Sequence, residues 1–486
     1  MALNFSIIFR MAGFVALIVG ISMIPPTIVS FLNDSPKVYY ALLATCVPTI
    51  LIGAFVFLRT KNKGKAFKIR DGYFAVTLSW MLASIIGALP YFFSGSVDTL
   101  IDAIFESSAA FTTTGCSIIG KADLSMGISL WKAITHWLGG MGILVFAISI
   151  LPALGVNGLK LASAEAPGPT FNKVKNKLSD STKSLYVIYV ALTLIEFILL
   201  YFSEMNLFEA VINTLGSIST SGLASTVDGI AQYDSFYIEM VITAFTFLAS
   251  INFMLFYFVL QGKVENLVKD VEARTFALII FVSFIVIGIS LHNNGIYPTV
   301  GEAMRASLFQ TVSFSSTSGY FIADYTTWPF FTQIILFSLM CVGGCAASTC
   351  GSLKVIRLIV LFKLISRGFR KRLHPRSVVA VRLGENVVPA ETVSSITSFT
   401  MFYMLIYLVT TLVLSLDNLD MTTTFTATAG ILSNTGLAFG ELGPTNDFSI
   451  FSEPMRLFIS FMMIVGRLEL FTVLLLFTPY FWNSEK

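Results

Sequence analysis

The sequence predicts an all-α polytopic membrane protein in which two N-terminal helices precede four helix–short segment–helix repeats. Of the 486 residues, 55% are hydrophobic and 12% are charged, about half the charged fraction of a typical soluble protein. Apolar runs of the roughly 20 residues that cross a bilayer recur along the whole chain. Four Ser/Thr-Gly motifs also recur, about a hundred residues apart, and such a period indicates internal repeats.

Two apolar segments open the chain, at about residues 8–31 and 38–58. Pro25 and Pro26 predict that the first helix is kinked or ends near them, because proline removes a backbone donor. No small-residue cleavage site follows this segment, so we expect it to be retained and not removed as a signal peptide. A basic stretch from Arg59 to Arg70 comes next, and residues 1–66 are predicted to form an N-terminal two-helix segment.

Each repeat has two long apolar segments on either side of a shorter one that ends in a Ser/Thr-Gly motif. The predicted repeats are 67–160, 161–264, 265–376 and 377–486. Their long segments lie at about 73–93 and 129–154, 184–203 and 236–260, 275–292 and 329–364, and 393–415 and 451–479. Their short segments lie at about 99–114, 207–221, 302–318 and 420–435.

Charge patterning predicts the orientation of the chain. The segments between repeats are basic, and by the positive-inside rule they face the cytoplasm together with both termini. Acidic residues flank the short segments and are predicted to rim an outer mouth that attracts cations; the alternative is that these are ordinary solvated loops. The acidic residues are Asp98, Asp102, Glu106, Glu209, Asp228, Asp234, Glu302, Asp324, Asp417, Asp420, Glu441 and Asp447.

A half-length segment cannot span the bilayer, and irregular backbone at that depth is tolerated only where protein or a water-filled cavity satisfies it. Each short segment is therefore predicted to re-enter the membrane and end at a pore. Rings of backbone carbonyls replace the water of a potassium ion, and glycine permits the backbone angles that such a ring requires. Four such loops predict helix–pore loop–helix repeats around a pseudo-fourfold pore.

This unit resembles that of potassium channels, with the Thr-Val-Gly-Tyr-Gly signature reduced to one glycine per loop. That is the pattern of the Trk/Ktr/HKT superfamily of cation transporters, and the resemblance covers essentially the whole chain. It implies potassium binding at four triplets, with glycine in every loop favouring potassium over sodium. The side-chain role of Asn434 departs from the pattern and stays open. The implied potassium-binding residues are Thr113, Thr114, Gly115, Thr220, Ser221, Gly222, Thr317, Ser318, Gly319, Asn434, Thr435 and Gly436.

A run of small residues interrupts the long segment 329–364, which predicts a broken helix because such residues are poor helix formers. The family resemblance implies a gating loop here, and close helix packing is the alternative. Arg467 and Glu469 lie inside the last apolar segment, where charges are costly. The resemblance implies that Arg467 stands in the pore; a structural pairing is the alternative. The roles of Lys354 and Arg357 are undecided. The implied gating residues are Gly343, Gly344, Cys345, Ala346, Ala347, Ser348, Gly351 and Arg467.

The expected function is potassium uptake across the bacterial inner membrane. The alternative is a symporter that couples potassium to protons or sodium by alternating access. Few acidic residues are expected deep in the membrane, because Glu196 and Glu239 are predicted to lie near helix ends, which leaves Glu469. No catalytic motif is present, so we expect no enzyme, no cofactor in the chain and no nucleic-acid partner. The resemblance implies a homodimer and a TrkA-like cytosolic ring of nucleotide-binding regulatory domains.

Overall fold

The computed structural model describes residues 3–60, 68–119, 124–142, 178–225, 229–377, 379–384, 386–444 and 447–482. Within these ranges the chain is helical, apart from loops and one antiparallel two-stranded hairpin, Arg382–Leu383 with Asn386–Val387. The sequence had not indicated this hairpin. The all-α prediction is confirmed.

The N-terminal part contains three helices, Phe5–Ser22, Ile24–Asn33 and Pro36–Arg59. The first two form one span that is interrupted at Met23, next to the prolines that predicted a kink. The first and third helices approach closely through glycine: a Cβ on Gly53 would lie 2.7 Å from the backbone nitrogen of Leu17. Small residues at such contacts allow apolar helices to pack in lipid.

The repeats follow in the predicted order, and the half-length helices are named short helices 1 to 4. Short helix 1 is Leu100–Phe111, short helix 2 is Leu207–Ile218, short helix 3 is Val300–Ser315 and short helix 4 is Met421–Leu432. The helices before them are Ile69–Ser94, Leu178–Tyr201, Val271–Asn293 and Ala390–Leu414. The helices after them begin at Met126, Phe236, Phe330 and Glu453.

Every short helix begins with a side-chain cap. The side chains of Thr99, Asn206, Thr299 and Asp420 each accept a hydrogen bond from a backbone N–H in the first turn of the helix that follows. Such caps satisfy donors that the helix itself leaves unpaired. They explain where the short helices start.

In the part of the chain that the structure describes, the final helices of repeats 2, 3 and 4 are broken or sharply turned. Residues 236–260 were predicted as one helix, which is wrong: Phe236–Ala249 and Phe253–Leu260 meet at 93°. Residues 451–479 were also predicted as one helix, but Glu453–Arg467 ends before a 112° turn. There Glu469 and Leu470 both have positive φ. The break predicted in 329–364 is confirmed, since Phe330–Val342 ends at Gly343 and Val355–Leu373 begins twelve residues later.

Parts of the predicted organisation lie outside the described residues. The predicted helix 129–154 is described as Met126–Gly140, and residues from 143 onward are outside those ranges. The predicted domain limits at 66 and 160 also lie outside them, as do Asp228 and the basic residues at 61, 63, 65, 160, 173, 175 and 177.

The short helices lie in the interior, and the long helices expose apolar side chains. Nine of the twelve residues of short helix 1 are buried, whereas Leu51, Leu194 and Leu412 on long helices are more than half exposed. Six described helices are long and apolar enough to cross a membrane, or eight if each bent pair counts as one span. This arrangement suits a lipid-facing shell around a polar centre.

Candidate functional site

The four segments that end at glycine, 112–115, 219–222, 316–319 and 433–436, are named glycine loops 1 to 4. All four have the same backbone. The residue two before each glycine is left-handed, with φ between 53° and 55°, and the glycine itself has φ between 67° and 79°. In every loop the amide just before the glycine donates to a carbonyl five residues back, as in a Schellman helix end. The left-handed residues are Thr113, Thr220, Thr317 and Asn434.

The structure shows what the side chain of Asn434 contacts, which the sequence left open. Asparagine enters the left-handed region more easily than most residues, so it suits a backbone position where the other loops carry threonine. Its Nδ2 donates to Thr114 Oγ1 at 3.0 Å and to the carbonyl of Met463 at 3.0 Å. The side chain therefore ties glycine loop 4 to glycine loop 1 and to the last long helix.

The glycine loops close into a ring. A Cβ on Gly115 would lie 2.0 Å from the carbonyl oxygen of Ser221, and one on Gly222 would lie 2.2 Å from that of Ser318. The series continues from Gly319 to Thr435, and it returns from Gly436 to Thr114 at 2.1 Å. No side chain of any kind fits at these points. Each glycine thus lets the carbonyl of the next loop approach, in the order 1, 2, 3, 4 and back to 1.

A cavity of about 150 Å³ opens against this ring. The four ring glycines and residues near them in sequence form part of its wall. Asp447 is the one acidic residue among the described residues that line the cavity. Backbone carbonyls gathered on one axis can replace the water shell of a cation without carrying formal charge. The ring residues that line the cavity are Gly115, Cys116, Ser221, Gly222, Gly319, Thr435 and Gly436.

Hydroxyl groups brace the loops from behind. Thr112 and Thr114 share a hydrogen bond of 2.7 Å, and so do Ser433 and Thr435. In loop 2 the hydroxyl of Ser219 donates to that of Ser221 at 3.0 Å. These hydroxyls therefore hold glycine loops 1, 2 and 4 by hydrogen bonds within each loop. All twelve residues predicted to bind potassium lie in the ring.

The segment between Val342 and Val355, named the 343–354 loop, packs against the ring at residues that lie two or three positions before the glycines. The Thr349 hydroxyl lies 3.2 Å from that of Thr220, and the Gly351 amide donates to Thr317 Oγ1 at 3.0 Å. A Cβ on Gly351 would lie 1.9 Å from the Ser433 carbonyl oxygen. The loop therefore lies against the ring on the face formed by these residues.

The predicted gating residues are brought together. Gly343 and Ala347 have positive φ. A Cβ added to Gly344 would lie 2.6 Å from Cys350 Sγ and 3.0 Å from the carbonyl oxygen of Ser250. The Cys345 amide donates to that same Ser250 carbonyl at 2.9 Å. The Ser348 hydroxyl bonds back to the Cys345 carbonyl at 2.6 Å. Glycine is required at 343, 344 and 351, because an added Cβ would lie 2.5, 2.6 and 1.9 Å from a neighbouring atom.

Arg467 joins the 343–354 loop to another long helix. Its guanidinium donates to the carbonyl of Thr349 at 2.8 Å, and to those of Gly139 and Gly140 at 2.8 and 2.9 Å. Arg467 is the last residue of its helix, immediately before the 112° turn. The cation thus lies next to the loop that packs against the ring.

Three further charged groups hold the 343–354 loop, and their roles could not be derived from the sequence. Lys354 donates to the Cys350 carbonyl, and Arg357 donates to the Leu353 carbonyl at 3.1 Å while it pairs with Glu469 and lies 4.0 Å over the ring of Phe399. Glu272 was missed altogether: one carboxylate oxygen accepts from the Ala346 amide at 2.7 Å and from the Ile356 amide at 3.0 Å. In the sequence, nothing distinguishes Glu272 from any other acidic residue in the first turn of a helix.

The acidic rim predicted from the sequence needs correction. Glu106 is fully buried behind glycine loop 1, where it pairs with Lys132 at 2.8 Å. Asp102 is buried and pairs with Arg456. Among the predicted acids that the structure describes, which leaves out Asp228, Asp447 alone lines the cavity. Both corrected residues are in a short helix, on the side that packs against neighbouring helices.

Glu196 also differs from expectation. It lies five residues before its helix ends, as predicted, but it is fully buried. One oxygen accepts from the Ser217 hydroxyl in short helix 2, and the other has no hydrogen-bond partner among the described residues. A buried acid therefore exists beside glycine loop 2.

Comparisons with known proteins agree with this geometry. The family model TrkH, described as cation transport protein, matches residues 39–484. The chain is 31% identical to the Trk system potassium uptake protein TrkH of Escherichia coli strain K12, over 99% of this chain and 100% of that protein. It is 30% identical to TrkG of the same strain, over 98% of this chain and 99% of the relative. A crystal structure of the potassium transporter TrkH from Vibrio parahaemolyticus superposes with a TM-score of 0.88 at 29% identity, over 99% of this chain and 100% of the other.

Proposed function

Because this chain belongs to the TrkH family of cation transport proteins, we propose that it carries potassium ions through the ring of glycine loops. The chain is a multi-pass membrane protein, as its apolar helices and its relatives indicate. Potassium is the ion that the names of its relatives give, and it is the substrate here. The relatives are named as uptake proteins, so their activity is transport and not catalysis.

The observation that carries the proposal is the closure of the four glycine loops. Carbonyls from Thr114, Ser221, Ser318 and Thr435 each press against the glycine of a neighbouring loop. Four loops with one shared backbone shape surround one axis, although their sequences differ. A carbonyl ring of this type replaces the water of an ion with neutral oxygen atoms. It therefore favours an ion that loses its water readily.

We propose that the 343–354 loop gates this path and that Arg467 holds it. The loop's contacts with Thr220, Thr317 and the Ser433 carbonyl support this role, since an ion leaving the ring on that side meets the loop. The guanidinium of Arg467 adds a fixed positive charge beside Thr349. Such a charge lowers cation occupancy near it.

We also propose the setting of the protein. It lies in the bacterial inner membrane with both termini in the cytoplasm. Residues 66, 160, 264 and 376 end the N-terminal segment and the first three repeats. It works as a homodimer with a TrkA-like cytosolic ring of nucleotide-binding domains. Support for a docking site comes from the exposed basic end of the helix Val355–Leu373, where Arg370, Lys371 and Arg372 follow one another.

The test is uptake of radioactive rubidium into proteoliposomes that contain the purified chain, with potassium or sodium as competitor. The variant is Gly319→Ser, because Gly319 has φ 79° and a Cβ there would lie 2.6 Å from the Thr435 carbonyl oxygen. We expect wild-type uptake to be blocked by potassium and weakly by sodium, and the variant to lose this discrimination. Gly301→Ser is the matched control, since an added Cβ there meets nothing within 4 Å.

Equal sensitivity to sodium and potassium in the wild type would contradict a potassium filter. Uptake that is the same in wild type and Gly319→Ser would place the filter elsewhere. If the purified chain takes up no rubidium, the measurement is repeated with the TrkA-like ring and nucleotide. Uptake restored by that addition supports gating by the partner.

Coupled symport of potassium with protons or sodium is the second candidate, and Glu196 is the observation that favours it. A buried carboxyl group with an unpaired oxygen inside a membrane span is the kind of group that carries protons in transporters. Under symport, a pH gradient or a sodium gradient alone drives rubidium uptake, and Glu196→Gln abolishes the proton-driven part. Uptake that follows only the rubidium gradient and the membrane potential supports the channel.

A further inference from the structure

A polar side chain on each short helix reaches forward to the chain just beyond its glycine loop. In short helix 1 this residue is Glu106, nine residues before Gly115. One carboxylate oxygen accepts from the amides of Ile118 and Ile119 at 2.6 and 3.1 Å, and from the Ser117 hydroxyl at 2.6 Å. The residues it holds follow directly on the glycine and line the cavity or border it.

The same link recurs around the ring, each time to the residue three beyond the glycine. In short helix 2, Asn213 lies nine before its glycine and donates to Ser225 Oγ at 3.1 Å. In short helix 3, Gln310 lies nine before its glycine and accepts from the Ile322 amide at 3.4 Å. Short helix 4 carries alanine at that position, and its neighbour Thr426 accepts from the Phe439 amide at 2.9 Å.

Repeat 1 differs from the others in charge. The second oxygen of Glu106 accepts from Lys132 Nζ at 2.8 Å, and the same Nζ donates to Ser117 Oγ at 2.9 Å. The other three links use neutral side chains. Within the described part of the chain, loop 1 alone is tied by an ion pair, and both members are at least 97% buried.

The charged link is the stiffest of the four. Hydrogen bonds to an ionised group are shorter and roughly twice as strong as those between neutral groups. Glu106 makes three such bonds to consecutive residues, whereas Gln310 makes one of 3.4 Å. The Glu106 link thus holds the chain after glycine loop 1 at three points, whereas the Gln310 link holds the chain after glycine loop 3 at one, where the Ser313 hydroxyl also donates to the Tyr320 carbonyl at 2.5 Å.

We propose that Glu106, neutralised by Lys132, is a positioning residue that fixes glycine loop 1 and thereby sets the discrimination between potassium and sodium. Neither side chain lines the cavity; Glu106 acts through the Ser117 hydroxyl and the amides of Ile118 and Ile119, and Lys132 acts through Glu106 and the Ser117 hydroxyl. A ring that can contract around a smaller ion loses its preference for potassium, and a link at three points prevents loop 1 from moving inward. This inference rests on the proposed potassium transport.

The test compares Glu106→Gln with Gln310→Ala in the rubidium uptake assay, and it measures the inhibitory concentrations of sodium and potassium. Glu106→Gln keeps the shape and an acceptor oxygen but removes the charge. We expect the ratio of the two inhibitory concentrations to fall about tenfold, the effect of losing one hydrogen bond to a charged group. The maximal rate should change little, and Gln310→Ala should shift the ratio less than Glu106→Gln does.

A second variant guards against misfolding. Glu106→Gln leaves Lys132 buried without its partner, so Glu106→Gln combined with Lys132→Met removes both charges and should show the same loss of discrimination. An unchanged ratio in a selective, active Glu106→Gln protein overturns the inference. Loss of all uptake in both variants also overturns it, because the pair would then serve folding or conduction. A wild type that does not discriminate refutes the proposed function itself.

Discussion

The guanidinium of Arg467 donates a hydrogen bond to the backbone carbonyl of Thr349 at 2.8 Å. The hydroxyl of Thr349 in turn lies 3.2 Å from that of Thr220, inside glycine loop 2. One arginine at the end of the last long helix is therefore linked, through a single residue of the 343–354 loop, to the ring. A change at this contact reaches the ring in two steps.

Arg467→Ala is expected to raise uptake about tenfold, because a hydrogen bond from a charged group to the loop is lost and a fixed positive charge is removed. Rubidium flux into proteoliposomes measures the effect. Arg467→Lys is the control, since it retains the charge and loses the forked geometry that serves three carbonyls. Unchanged flux in Arg467→Ala would argue against a role for this arginine in closing the path.

Glu272→Ala is also expected to raise basal uptake, because the amide of Ala346 in the 343–354 loop and the amide of Ile356 in the helix that follows it lose their common acceptor. The buried N–H groups left unpaired destabilise the docked loop by about 1–3 kcal/mol each. Glu265→Ala is the matched control: its pair with Lys269 is exposed on both sides, and such pairs contribute about 0–1 kcal/mol. If the two variants conduct equally, Glu272 does not hold the loop shut.

Alanine at the four ring glycines should impair transport in a graded way. The gap to the facing carbonyl oxygen is 2.0 Å at Gly115, 2.1 Å at Gly436 and 2.2 Å at Gly222, but 2.6 Å at Gly319. A left-handed backbone costs any side chain about 1–2 kcal/mol, and the clash adds to that cost. Thermal unfolding and rubidium uptake should both rank Gly319→Ala as the mildest variant. Equal effects at all four positions would mean that the close approach to carbonyls is not the cause.

The free energy of unfolding is expected to decrease at acidic pH as Asp420 becomes protonated. Partial burial opposes its charge, but hydrogen bonds from Thr423 and Thr422 outweigh that effect and hold the pKa of Asp420 below its usual range. A carboxyl group whose pKa is lower in the folded protein contributes stability above its unfolded pKa of about 3.9, and this is lost as pH falls through the folded value. Asp420→Ala removes the cap and is expected to cost about 1 kcal/mol at neutral pH.

Unfolding temperatures of wild type and Asp420→Ala, measured from pH 7 down to pH 3, check this expectation. The difference between the two proteins should be constant at neutral pH and shrink below about pH 4. Glu441→Ala, in the loop that follows the same short helix, is a neighbouring acid for comparison. A gap that does not shrink at all between pH 5 and pH 3 would show that Asp420 acts through packing and not through its charge.

Much of the fold could be predicted from residues that act locally. Apolar runs located the long helices, and the Ser/Thr-Gly motifs located the four loops with their shared left-handed backbone. The break in the third repeat was predicted from small residues around Gly343 and Gly351. The bends after Ala249 and Arg467 were missed, because the apolar pattern continues across both.

The sequence alone determined the class of the protein, the repeats and the positions of the ring glycines, because these depend on hydrophobicity and on backbone angles that few residues adopt. Only the tertiary structure decided which charges meet. Glu106 lies 26 positions from Lys132, and Glu272 holds Ala346 from 74 positions away. Such contacts depend on how helices pack, and the energy of a buried charge depends on partners that no local pattern reveals.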